Sequence, residues 1–295
     1  MNDIYRDNED DALGILPRDR AREKVGAGAT SGDRNFVKAL ARGLIVLEAF
    51  SASDEVWLDV AEVAARVGLP HPTVMRFLRS LVSLGHLQYS QNRRQYRLGV
   101  GVLALGYAAR EPFSFGELVR PYLKILADTY NVHAALAKRD RLDALEVEVS
   151  HSLKTLMTLQ LEVGSRLPLA GTATGMGLIV SLPQAEIDYL MVNLEQRHKR
   201  NWPRLKAGID SAREEYAEKG YLTAQGSWDT DINGVAVPLV FPGGSPVFSL
   251  TCGAPALHLP PDKQRIIGER LLLVRQVIEE KLRKGDVNSG ARAPR

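Results

Sequence analysis

The chain has 295 residues, 45% of them apolar, and a formal charge of only +3 from 38 basic and 35 acidic side chains. That is apolar material for two ordinary domains, and too small an excess of charge to name a partner, since net charge averages over surfaces that face different molecules. A single cysteine, Cys252, excludes an internal disulfide framework, and the scattered histidines show no spacing that gathers metal ligands. The acidic start MNDIYRDNEDD is unlike an export signal and the apolar run VGVLALGYAA is too short for a bilayer, so the expectation is a cytoplasmic protein without metal or cofactor.

Residues 1–33 mix charges with GAGATSGD and lack an apolar period, and are expected to form a disordered tail, as are residues 285–295. A first domain over 34–98 opens with FVKALARGLIVLEAF, where Phe36, Leu40, Leu44, Leu47 and Phe50 recur at helical spacing. In LDVAEVAARVG, Asp59 and Glu62 have the spacing of a capping box, Leu58 and Val63 that of a hydrophobic staple, and Gly68 that of a helix stop. A third helix starts near Pro72 and turns Val74, Phe77, Leu78, Leu81 and Leu84 inward, and Pro72, Met75, Arg76, Arg79 and Ser83 outward. Two strands, LQYS and QYRL, follow, with Leu87, Tyr89, Tyr96 and Leu98 on one face and QNRR at the turn. Helix, helix, turn, helix and hairpin make a winged helix-turn-helix.

The stretch from Arg66 to Leu98 carries six arginines and no acid, directly after the acidic Asp54, Glu55, Asp59 and Glu62. A stripe of charge alone reads as a solvated helix face. Joined to the tight turn and a basic hairpin, it reads as a surface for double-stranded DNA. Arg76 and Arg79 have the reach for guanine edges or phosphates. His71, Thr73 and Met75 lie near the helix start, while Arg93 and Arg94 on the wing are suited to the adjacent backbone.

The run from ALARGLIVLEAF to YRLGVGVLALG resembles the DNA-binding domain of the IclR family of bacterial transcriptional regulators. The similarity extends to VGSRLPLAGTATGMGLIVSLP and GVAVPLVFPGGSPVFSLTCGAPA, with Ala170 and Met176 where the family commonly has His and Lys. Between the domains GVGVLALGYAA, apolar on much of its surface, reads as a linker helix over 99–114, and the resemblance implies that residues 115–284 form a GAF-like effector-binding domain. By matching motif to motif, it also implies a cavity with Leu159, Leu167, Ala173 and Thr174 on one side and Asn233, Thr251 and Cys252 on the sheet side.

Read from its own residues, the second half has a helix through Leu118, Tyr122, Ile125 and Leu126. The strands VHAALAK, ALEVEV and LMTLQLE come next, then a small-residue helix start at GTATGMG and helices in PQAEIDYLMVN and SAREEYAEKG. Strands LTAQ, GVAVPLVF and PVFSLTCG, the last two joined by a turn over Pro242 to Ser245, precede a long helix through Ile267, Leu271, Val274, Ile278 and Leu282. The class is α+β, an antiparallel sheet flanked by helices. GTATGMG matches neither phosphate-loop pattern and reads as close packing. Asp229 and Asp231 look like turn residues, and Cys252 has no base assigned to it. The expected function is a DNA-binding regulator that senses an organic or aromatic acid, acting as a homodimer or dimer of dimers away from membranes. A metabolite-modifying enzyme domain fused to a DNA-binding head, with Cys252 as nucleophile, is the alternative.

Overall fold

A computed structural model describes residues 36–50, 56–110, 114–152, 161–226, 231–241 and 247–283. The chain divides into two units, Met1–Glu111 and Pro112–Arg295. The expected tails, Leu159, Asp229 and the Pro242 to Ser245 turn lie outside the described residues, as does most of LMTLQLE.

In the first unit, α1 (Lys38–Glu48) is followed by α2 (Val60–Val67) and α3 (His71–Ser83), then β1 (Leu87–Ser90), β2 (Gln95–Leu98) and α4 (Val100–Arg110). The capping box of α2 is formed: the Glu62 amide donates to Asp59 Oδ1 at 2.8 Å and the Asp59 amide to Glu62 Oε2 at 2.6 Å. Leu58 and Val63 beside it are fully buried. Gly68 ends the helix at φ 64°, a left-handed conformation that glycine adopts without steric cost.

Two periodicity readings need correction. In α1 the buried side chains are Val46, with Ala49 and Phe50 just beyond the helix, whereas Leu40 and Leu44 are exposed. Leu84, expected inside, is 68% exposed because α3 ends at Ser83 and Leu84 is its C-cap. β1 and β2 pair antiparallel with Leu87 opposite Leu98 and Tyr89 opposite Tyr96. Leu87 and Tyr96 are buried while Tyr89 and Leu98 stay exposed, so only part of that shared face is core.

The second unit is built on an antiparallel sheet of six strands in the order β5-β4-β3-β8-β7-β6. These are β3 (His133–Asp140), β4 (Asp143–Ser150), β5 (Arg166–Pro168), β6 (Leu222–Gln225), β7 (Ile232–Val240) and β8 (Val247–Pro255). The short β5 was not expected from the sequence. Helices α5 (Ser114–Tyr130) and α9 (Pro261–Arg283) pack on one face through Val119, Leu123, Ile267 and Leu271, against Leu136, Val235 and Leu250. Helices α6 (Ala173–Ile179), α7 (Gln184–His198) and α8 (Trp202–Lys219) cover the other face through Leu178, Leu190 and Ile209, with Ala137 and Ala236 beneath. Helices on both faces of an antiparallel sheet make the unit α+β. No helix among the described residues is long and apolar enough to cross a membrane.

Candidate nucleic-acid interface and ligand cavity

Helix α3 starts after Pro70, held extended at φ −60° and ψ 140°, and carries Pro72 in its first turn, where a missing amide hydrogen costs nothing. Val74 and Leu78, one turn apart, are completely buried, and Phe77 and Leu81 pack beside them. This fixes the helix's rotation, so Arg76, Arg79 and His71 face outward, exposed, while Thr73 is half-buried. Neither Arg76 nor Arg79 enters an ion pair among the described residues. Met75, expected to face outward, is half-buried, its sulfur 3.6 Å from the Tyr96 hydroxyl. Burial raises the Tyr96 phenol above its ordinary value, with Tyr89 adding to the rise and the Arg79 charge opposing it.

On the wing, Arg93 and Arg94 are both exposed, and Arg94 takes a left-handed φ of 54°. A residue not foreseen holds this side: the Trp57 ring lies under two guanidinium groups, 4.8 Å from Arg97 and 5.6 Å from Arg93. Arg97 also donates through Nε to Gln88 at 2.8 Å. Cation–π contact and a hydrogen bond thus restrain flexible arginines before any partner arrives. The signal was hidden because it depends on a pairing between Leu58 and Tyr96, far apart in the chain.

In the second unit, Thr172 caps α6: its Oγ1 accepts from the Gly175 amide at 2.9 Å and donates to the Pro168 carbonyl at 2.7 Å. The helix lies almost on the backbone around it. A Cβ on Gly175 would stand 2.3 Å from the Leu169 carbonyl oxygen, and one on Gly234 would stand 2.8 Å from Ala173. GTATGMG is therefore a close-packing segment, as its lack of a phosphate-loop pattern indicated.

Beside α6 is a cavity enclosing about 420 Å³ of space between atoms, its open mouth included. Leu167, Ala173, Thr174, Asn233 and Thr251 lie around it, together with His133 and Glu146. Polar groups of two of these are committed elsewhere: the Asn233 side chain accepts from the Gly226 amide at 3.2 Å and donates to the Leu259 carbonyl at 3.0 Å. Thr251 shares a 3.2 Å hydrogen bond with Ser249. Cys252, expected on the sheet side of the cavity, does not border it. Alternation along β8 turns Thr251 and Gly253 toward the cavity and Cys252 to the opposite face, among Leu136, Val235 and Ala254. Burial there pushes its thiol up to about 12, the reverse of what a nucleophile requires.

His133 and Glu146 were missed by the sequence reading. Both are almost wholly buried, with His133 Nε2 3.0 Å from Glu146 Oε1. His133 Nδ1 is 3.4 Å from His151 Nδ1, and His151 Nε2 lies 3.6 Å from Glu162, whose side chain is exposed. A β-bulge puts Glu146 there. Leu136 pairs with Glu148 but Ala137 pairs with Glu146, so Val147 is the extra residue. The two glutamates consequently face opposite sides of the sheet: Glu148 takes two hydrogen bonds from Arg120 of α5, at 2.7 and 3.0 Å, while Glu146 meets the cavity. Two glutamates within ALEVEV, a strand otherwise apolar, were the available signal.

Residues 39–91 match the model of the IclR helix-turn-helix domain. The chain is similar to an IclR family transcriptional regulator from Brucella abortus of known crystal structure, with 34% identity and a TM-score of 0.75 over 91% of this chain and 98% of that one. It is 28% identical over 251 residues to the HTH-type transcriptional regulator TsaQ1/TsaQ2 of Comamonas testosteroni, covering 84% of this chain and 89% of its relative. It shares the fold of an IclR homologue from Microbacterium hydrocarbonoxydans complexed with 4-hydroxybenzoate, at 21% identity and a TM-score of 0.63, over 83% of this chain and 99% of that one.

Proposed function

The chain belongs to the IclR family of transcriptional regulators, and on that premise we propose which of its surfaces do the regulator's work. It is a DNA-binding protein rather than an enzyme. The reading frame for its operator is α3: Arg76 and Arg79 read base edges or phosphates in the major groove, with His71 and Thr73 at the helix start and Met75 holding the wing through Tyr96. Arg93 and Arg94 follow the flanking backbone. The observation that carries this is a helix with Val74 and Leu78 fully buried on one side and, on the other, two exposed arginines that enter no ion pair among the described residues.

The cavity beside α6 is the effector site, taking a small organic or aromatic acid between Leu167, Ala173 and Thr174 and the sheet. The lining is mostly apolar with a few placed polar groups, as small-molecule sites require. In the cytoplasm the protein works as a homodimer or dimer of dimers, because a two-fold operator needs two heads. Helix α4 supplies the surface: Val100, Leu103, Leu105 and Tyr107 are all more than half exposed, and no charged side chain stands between Leu98 and Ala109. The effector changes operator affinity only as far as it binds the two DNA-affinity states unequally. Fluorescence anisotropy of labelled operator, with and without effector, tests the assignment. Unchanged affinity on replacing both Arg76 and Arg79 by alanine rejects the α3 surface. A solution mass equal to one chain rejects the dimer.

A further inference from the structure

We infer that Glu146 is the specificity residue of the effector cavity and selects ligands that present an O–H or N–H donor to its carboxylate. The inference rests on reading this cavity as the effector site. Glu146 is 1% exposed and borders the cavity. Its Oε1 is taken by His133 at 3.0 Å, while its Oε2 meets no hydrogen-bond donor among the described residues. A carboxylate oxygen away from water is costly unless a donor meets it, and a carboxylate can only accept.

Three other polar side chains near the cavity are used within the protein. Asn233 bonds at both ends of its amide, Thr172 bonds to Pro168 and Gly175, and Thr251 bonds to Ser249. Glu146 Oε2 is the buried carboxylate oxygen at the cavity that meets no donor among the described residues, and so it specifies what enters. Its position is built rather than incidental, since the bulge at Val147 is what turns it away from α5. The same oxygen repels a carboxylate. An aromatic acid therefore binds with its acid group away from Glu146 and a hydroxyl or amino group, placed across the ring, against it.

Isothermal titration of the full chain with 4-hydroxybenzoate, 4-aminobenzoate and 4-fluorobenzoate tests this. The fluoro compound keeps nearly the size of the hydroxyl compound and loses the donor. The two donor compounds are expected to bind at least about tenfold more tightly than the fluoro compound, because a site built for a hydrogen bond rejects the analogue lacking it. In Glu146→Gln, whose amide accepts and donates alike, the ratio is expected to fall to about threefold or less. Equal binding of all three by the unsubstituted protein overturns the inference and leaves the effector reading standing. Binding of none overturns the effector reading for aromatic acids and the inference with it. The comparison of ligands on the unsubstituted protein stands even where the variant fails to fold.

Discussion

Leu58 and Tyr96 exchange two backbone hydrogen bonds, the Leu58 amide donating at 2.9 Å and the Tyr96 amide at 2.8 Å. This one bridge adds a third, single-residue strand to the wing and carries Trp57 to the side of Arg97. The stem of the wing and the seat of its arginines share one cause. Trp57→Ala is expected to leave the fold of the first unit intact and to weaken operator binding several-fold, as Arg93 and Arg97 lose the ring that orders them. Circular dichroism and anisotropy on the same preparation check this; unaltered affinity shows that the restraint has no part in binding.

Arg79 and Arg94 are expected to behave differently. A base-reading contact is worth about 1 to 3 kcal/mol, so Arg79→Ala weakens the specific site by that amount and leaves random DNA nearly untouched. Arg94→Ala weakens both, and lowers the slope of log affinity against log salt by about one unit, the mark of a lost phosphate contact. Titrations at several salt concentrations against operator and scrambled duplexes separate the two.

Gly175→Ala is expected to destabilise the second unit by about 1 to 3 kcal/mol or more, because overpacking against backbone leaves nothing soft to move. The added methyl would stand 2.3 Å from the Leu169 carbonyl oxygen. At Gly106 on α4 no atom of the described residues, beyond the adjoining residues and the nearby backbone of the helix itself, lies within 4 Å of an added Cβ. Gly106→Ala is therefore expected to stabilise the helix by about 0.5 to 1 kcal/mol. Thermal unfolding of the two variants, side by side, tests the contrast in sign.

The Cys252 thiol is expected to resist thiol reagents in the folded protein at neutral pH and to react at once in denaturant. Its value is raised from 9.0 to about 12 by burial alone, so the folded state holds the proton over a range in which the unfolded chain releases it. Stability from this group is full below about pH 9 and is lost as pH rises from there toward 12. Cys252→Ala should remove that part of the alkaline loss. Denaturant midpoints between pH 8 and 11 for both proteins measure it; identical slopes would place the thiol in contact with water.

Much of the molecule was legible in one dimension because local physics decides it. The Asp59–Glu62 box, the stop at Gly68, the burial of Val74 and Leu78 and the outward placement of Arg76 and Arg79 all depend on residues within about one turn of each other. Periodicity misled at Leu40, Leu44 and Leu84, where an apolar residue lies on a helical face or end that nothing among the described residues of the first unit covers.

What only the folded chain decided are matters of pairing across long sequence distances. The partner of Leu58 chose where Trp57 stacks, and the register of β3 against β4 chose which of two glutamates enters the cavity. One extra residue in a strand reverses every side chain beyond it, because the pleat repeats every two residues. The same rule placed Cys252 on the far face from Thr251. Spacing along a strand says which neighbours share a face, but the ladder of hydrogen bonds to other strands says which face that is.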